Sequence, residues 1–268
     1  MTYFGFLAQF VGLPILVLVT LLLVTRRRGH QLPDRLRTWP AWAVVAGHVL
    51  IALIYTTPWD NYLVATRVWW YDPDLVTGIV LGWVPIEEYT FFVVQTILTG
   101  LWLLWLAHFR FLVPQAEFQP DPRIRWWATA VTGVVWVGSL VLLFSGWRPG
   151  TYLALELSWA LFPILIQLGF GADILWHYRR LVLAALIPTT LYLSIGDAIA
   201  IESGTWTINP EQSLNWFLGG VLPIEEFLFF LLTNTLVVFG VTLMLARESH
   251  VRANLAQPAT QNTQKHRA

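Results

Sequence analysis

The chain has 268 residues, 56% of them apolar and 12% charged, and its mean hydropathy of +0.60 lies above the usual globular range. Its 16 basic and 16 acidic residues cancel, which argues against a nucleic-acid partner. It contains no cysteine, so disulfides, zinc–thiolate sites and thiol catalysis are excluded.

Seven apolar segments follow in chain order: 3–24, 39–59, 77–107, 126–147, 151–172, 181–197 and 213–246. Most are long enough to cross about 30 Å of hydrocarbon. In lipid the backbone must satisfy its own polar groups, as helices or as a closed barrel, and these runs are too long and too continuously apolar for barrel strands. The first is too long for a signal-peptide core and has no basic residue before it, so it reads as a retained helix. The stretch after Arg247 is polar and rich in Gln, Asn and Thr, and is expected to be disordered. The expected fold class is therefore an all-α integral membrane protein with seven transmembrane helices, multi-pass in the cell membrane.

Charge sets the expected orientation. Of the 16 basic residues all but Arg67 and Arg148 fall in alternate connections or in the C-terminal tail. The positive-inside rule then puts the N-terminus outside and the C-terminus in the cytoplasm.

An internal repeat runs through these segments. Thr2-Tyr3 and Leu13-Pro14-Ile15-Leu16 match Thr151-Tyr152 and Phe162-Pro163-Ile164-Leu165. Tyr55, Asp60, Trp69 and Pro73 match Tyr192, Asp197, Trp206 and Pro210. Gly82, Pro85, Glu87, Glu88, Phe91 and Phe92 match Gly220, Pro223, Glu225, Glu226, Phe229 and Phe230. The order implies two parallel three-helix repeats, 1–115 and 149–246, joined by a linker helix within 116–148 and followed by the tail 247–268. An even number of helices separates equivalent positions, so the repeats share one orientation about an axis along the membrane normal.

Two adjacent carboxylates in strongly apolar sequence, twice, ask for a reason. If the third helix is continuous from Thr77, Glu87 and Glu88 lie about 15 Å along it and Pro85 makes a kink. If it begins at Pro85, that proline takes the first helical position and both acids sit in the first turn, complementing the helix dipole. Ordinary caps require no adjacent pair, no repeated aromatic flank and no companion aspartate. Adjacent residues point about 100° apart, so one glutamate of each pair can face a cavity while the other meets a neighbouring helix. Intramembrane carboxylates are functional candidates by default. The candidate catalytic residues are Glu87, Glu88, Glu225, Glu226, Asp60 and Asp197, with Asp60 and Asp197 closing the second and sixth helices. The Glu87/Glu225 pair is slightly preferred as acid, because Phe91 and Phe229 follow one turn later. Glu156 and His48 lack counterparts in the other half and read as structural. The candidate substrate-binding residues are Trp83, Phe91, Phe92, Phe229, Phe230, Trp69, Trp206 and Asn61; plain packing is the commoner role for such aromatics.

A carboxyl in a dry aromatic pocket suits protonation of an alkene, passage through a carbocation held by aromatic faces, and loss of a proton elsewhere. The substrate would be a lipid-soluble polyene taken from the bilayer.

At these residues the chain resembles a known family. Thr57-Pro58-Trp59-Asp60-Asn61-Tyr62, Pro85-Ile86-Glu87-Glu88-Tyr89 with Phe91-Phe92, Gly204-Thr205-Trp206 and Pro223-Ile224-Glu225-Glu226-Phe227 resemble the small membrane lycopene cyclases. These occur as two short subunits or as one fused chain, and the unpaired fourth helix fits the fused form. The resemblance implies cyclisation of the ψ ends of lycopene to β-ionone rings, by way of γ-carotene to β-carotene, without net redox change. It also implies membrane lipids and other carotenoid-biosynthesis enzymes as partners. No G-x-G-x-x-G is present, so no flavin or other cofactor is expected, and no metal. The alternatives are a membrane transporter, which parallel repeats and membrane acids also suit, and another polyene or isoprenoid cyclase such as a C50 carotenoid cyclase. A retinal Schiff base would need a membrane lysine, and the single lysine is Lys265 in the tail.

Overall fold

The computed structural model describes residues 1–254. Among the described residues seven helices are long and apolar enough to span a membrane: α1 (Tyr3–Arg27), α2 (Ala41–Ala65), α3 (Ile86–Leu106), α4 (Pro122–Phe144), α5 (Thr151–His177), α6 (Arg179–Glu202) and α7 (Ile224–Leu245). A short α8 (Arg247–Arg252) follows. The expected disorder of the tail is thus corrected at its start: Ser249 is buried and Arg252 binds Asp173 through two nitrogens, at 2.8 and 2.7 Å, which holds the turn in place. The remainder of that expectation, residues 255–268, lies outside the described residues.

Two helix starts differ from the hydropathy segments. Residues 77–85 and 213–223 are not helical. They form two tight hairpins, β2 (Val80–Leu81) with β3 (Val84–Pro85) and β5 (Phe217–Leu218) with β6 (Leu222–Pro223). Gly82 turns the first at φ 70°, and Gly219 and Gly220 turn the second at φ 62° and 79°, in the left-handed region that glycine tolerates. A Cβ on Gly82 would also collide with the Asn61 side chain. Proline then ends each hairpin with extended backbone, and the helix starts at the next residue. A second correction concerns Asp60 and Asp197, which do not end their helices: α2 runs on to Ala65 and α6 to Glu202.

A third pair of strands lies across the same end of the bundle. β1 (Trp69–Tyr71) pairs antiparallel with β4 (Trp206–Ile208), Trp69 opposite Ile208 and Tyr71 opposite Trp206. The all-helical expectation thus gains three two-stranded ladders among the described residues, all at one end.

Helices α3 and α7 form the buried centre and touch each other. α3 packs on α1, α2 and α6; α7 packs on α5, α6 and α2. α4 stays at the periphery against α5, its surface mostly exposed as a lipid-facing helix requires. In α1 the turns from Leu7 to Gly12 are π-helical. Pro14 has no N–H to give the carbonyl four residues back, so the preceding ladder shifts register there. In α5, Pro163 and the non-helical Gly171 bend the helix, and a Cβ on Gly171 would collide with Leu243 of α7.

Candidate active site

The first turns of α3 and α7 meet the C-terminal parts of α2 and α6 beneath the β1–β4 ladder. A cavity of ≈ 40 Å³ opens there, walled by Trp59, Phe91, Phe92, Phe229 and Phe230. Asp60, Glu88, Asp197 and Glu226 all line it, and all four are buried. No basic side chain is among its described lining residues. An uncompensated buried carboxylate is expensive, so four around one small space require either protons or specific donors.

Tyrosines supply donors. The Tyr3 hydroxyl donates to Glu88 Oε2 at 2.5 Å and the Tyr71 hydroxyl donates to the same atom at 3.0 Å. Tyr152 donates to Glu226 Oε1 at 2.7 Å. The Trp206 indole N–H donates to Asp197 Oδ1 at 3.1 Å, while that of Trp69 donates to the Tyr71 hydroxyl at 3.1 Å. Asp60 differs: neither of its oxygens has a hydrogen-bond partner among the described residues. On the strand outside the spans, burial pushes the Tyr71 phenol well above the usual tyrosine range, and the charge of Glu88 adds to this, so Tyr71 remains a donor.

The two acids of each Pro-Ile-Glu-Glu sequence separate as their 100° offset requires. Glu87 Oε1 accepts from the backbone N–H of Thr77 at 2.6 Å, and Glu225 Oε1 accepts from that of Leu214 at 2.7 Å. Both tie the hairpins to the helix starts and neither lines the cavity. The preference for Glu87 and Glu225 as the acid pair is thus at odds with their position, and Glu88 and Glu226 are the members that face the space.

Of the expected substrate-binding residues, Phe91, Phe92, Phe229, Phe230, Trp69 and Trp206 line the cavity. Trp83 and Asn61 do not. Trp83 is 66% exposed at the tip of the first hairpin. The side chain of Asn61 holds that hairpin, accepting from Trp83 N at 2.8 Å and donating to the Tyr89 hydroxyl at 2.9 Å. Sequence reasoning missed Tyr3, Tyr71, Tyr152, Trp59 and Phe6. For Tyr3 and Tyr152 a signal was present, because they are matched positions of the repeat. Glu156, read as structural, is fully buried one turn after Tyr152, and neither of its oxygens is hydrogen-bonded among the described residues. His48 bonds the Val44 carbonyl through Nδ1 at 2.8 Å, an ordinary intrahelical satisfaction.

Comparison with known proteins bears on this geometry. A family profile described as lycopene cyclase matches residues 2–106 and 149–244, leaving out the stretch that contains α4. A lycopene beta-cyclase of Halobacterium salinarum is 38% identical over 242 residues, covering 90% of this chain and 95% of that protein. A bifunctional lycopene cyclase/phytoene synthase of Podospora anserina is 38% identical over 202 residues, 72% of this chain but 33% of the relative. One of Aspergillus oryzae is 35% identical over 200 residues, 74% of this chain and 34% of the relative. No solved structure matches.

Proposed function

The chain belongs to the lycopene cyclase family and is an enzyme that cyclises lycopene, and we propose that it does so by proton-initiated ring closure in the cavity between α3 and α7. The observation that carries the mechanism is the convergence of Asp60, Glu88, Asp197 and Glu226 on one aromatic-walled space.

A carboxylic acid donates its proton to C2 of the terminal C1=C2 alkene, leaving a cation at C1. The C5=C6 π electrons form the C1–C6 bond and move the charge to C5. A carboxylate removes the C6 proton, its C–H electrons become the C5=C6 double bond, and one proton has entered while one has left. Asp60 suits the donor role, since neither of its oxygens is engaged by a hydrogen-bond donor among the described residues. Glu88 suits the acceptor role, because two phenol hydroxyls point at one of its oxygens as they would at an anion. The faces of Trp59, Phe91 and Phe229 stabilise the intermediate cation. Removal of the C6 proton gives the β ring, the ring type in the name of the Halobacterium relative.

The substrate is taken from the bilayer of the cell membrane. The N-terminus lies outside and the carboxyl cavity sits at the outer ends of the helices, opposite the arginine-rich ends. Residues 1–115 and 149–246 are two repeats of one orientation, and α4 is the crossing that joins them. The packing of α3 on α1, α2 and α6, matched by that of α7 on α5, α6 and α2, supports this reading. So does a family match in two segments on either side of α4.

Expression in a lycopene-accumulating bacterium, followed by pigment chromatography, tests the function. β-Carotene is expected. Unchanged lycopene in cells that contain the folded protein would refute the activity, and ε rings would refute the proton-removal step.

A further inference from the structure

Two apolar grooves lie on the flanks of the bundle. One, of ≈ 200 Å³, lies between α2 and α5 and touches α3 and α7. The other, of ≈ 490 Å³, lies between α1 and α6 and touches α3. They occupy matched positions. Tyr55 and Pro163 line the first where Tyr192 and Pro14 line the second, and Leu236 lines the first where Leu98 lines the second. Size alone would assign a long apolar ligand to the α1/α6 groove.

Continuity assigns it to the other. Phe92 and Phe229 line both the α2/α5 groove and the carboxyl cavity. A run of nearly parallel rings joins the two spaces. Tyr55 stacks on Trp159 with centroids 5.7 Å apart at 19°, Trp159 on Trp59 at 4.3 Å and 15°, and Trp59 on Phe229 at 6.1 Å and 3°. The rings are pinned: the Tyr55 hydroxyl donates to the Trp159 carbonyl at 2.9 Å and the Trp59 indole to the Leu155 carbonyl at 3.1 Å. On the opposite flank this run is broken. The position matching Trp59 is Gly196, and the stacked pair Phe6 and Phe10, 5.3 Å apart, fills the space over it. The α1/α6 groove shares no described lining residue with the carboxyl cavity.

We propose that the α2/α5 groove is the single channel in which the linear polyene lies, flat against the Tyr55–Trp159–Trp59–Phe229 wall, while one end occupies the carboxyl cavity. This rests on the cyclase reading and adds the path and the pose. A planar conjugated chain presents two apolar faces, and a wall of parallel rings buries one along its length. The α1/α6 groove takes ordinary lipid. A consequence is that the two ends of a symmetrical substrate are cyclised in separate visits.

The absence of cysteine makes a direct test available. Ala52→Cys places a lone thiol in the α2/α5 groove, and Val17→Cys places one in the α1/α6 groove. Each purified protein, in liposomes, is assayed with lycopene before and after reaction with a bulky maleimide. Labelling at 52 is expected to lower conversion by about tenfold or more, equivalent to roughly 1.4 kcal/mol of productive binding. Labelling at 17 is expected to leave it within about twofold. Lycopene should slow the maleimide reaction at 52 and not at 17, a readout that does not depend on turnover. Cyclisation that survives full labelling at 52, or protection at 17 instead, overturns the groove and leaves the cyclase reading intact. Failure of the wild-type chain to cyclise lycopene in the same liposomes defeats both.

Discussion

Gln95 and Thr233, 138 residues apart, meet at the seam of α3 and α7, where the Gln95 amide donates to Thr233 Oγ1 at 2.8 Å with both side chains buried. The same offset separates Pro85 from Pro223 and Glu88 from Glu226. In the proposed repeat these two positions are counterparts, and residues on a two-fold axis would meet in this way. A few positions away, Thr99 donates to Asn234 Oδ1 at 2.7 Å, so the seam carries polar links beneath the cavity.

Thr233→Val keeps the volume and removes the acceptor for the Gln95 amide. A buried donor left without a partner costs about 1–3 kcal/mol, so thermal unfolding in detergent should shift down clearly. Gln95→Leu combined with Thr233→Val should recover part of the loss, because the orphan disappears with its donor. An unchanged melting temperature in the single variant would mean that the seam does not hold the halves together.

Cavity-facing and hairpin-binding glutamates should separate by assay. Glu88→Gln and Glu226→Gln keep shape but remove the exchangeable carboxyl, and each should lower turnover by roughly 10²-fold or more, the scale of general acid–base catalysis. Asp60→Asn should act likewise. Glu87→Gln and Glu225→Gln retain an amide oxygen for the N–H groups of Thr77 and Leu214, so turnover should stay near wild type with a small loss of stability. The reverse ranking would return the chemistry to Glu87 and Glu225.

The contrast between neighbouring glutamates marks how far the sequence could be read. The seven long apolar helices are legible, because hydropathy reports such stretches directly. Which acid of each pair faces inward is not, since a 100° turn becomes meaningful only once the helix has neighbours. Of the two helix starts that the sequence left open, the structure takes the later: Ile79, Val80 and Leu81 are apolar enough to continue a helix, yet all three are exposed on a hairpin that Gly82 reverses at φ 70°, and Glu87 and Glu88 fall in the first turn. Tyr3 resembles an interfacial aromatic at a helix start. Its role appears only when α3 brings Glu88 within 2.5 Å of its hydroxyl. The aromatic run from Tyr55 to Phe229 draws on three helices, and no single stretch of sequence contains it.

The two halves should also function as separate chains. α4 packs chiefly on α5 and none of its residues lines the cavity; in the proposed topology it carries the chain back across the membrane. Residues 1–115 and 149–268 expressed together should restore activity, and neither alone should do so. A reporter fused after residue 148 should read outside and one after residue 115 inside. Activity from one half alone would sink the shared cavity, and identical reporter locations would sink the seven-span topology.

Solvent isotope offers the closest view of the first chemical step. If ring closure begins by protonation at C2, every ring made in D₂O carries one deuterium on that carbon, provided the donor carboxyl exchanges with solvent between turnovers. The C6 proton that leaves comes from the substrate and is lost, so each closed end should gain one mass unit and a bicyclic product two. A monocyclic product isolated early should carry one label, at its closed end only. If the polyene visits a single channel once per end, that monocyclic species should accumulate first and then decline, with its second ring labelled from whatever solvent is present at the later visit. Switching from D₂O to H₂O midway should therefore yield molecules labelled at one end. Rings formed without deuterium at C2 would mean that a proton from solvent does not initiate closure, and Asp60 would lose its proposed role even though the product remained a carotene ring.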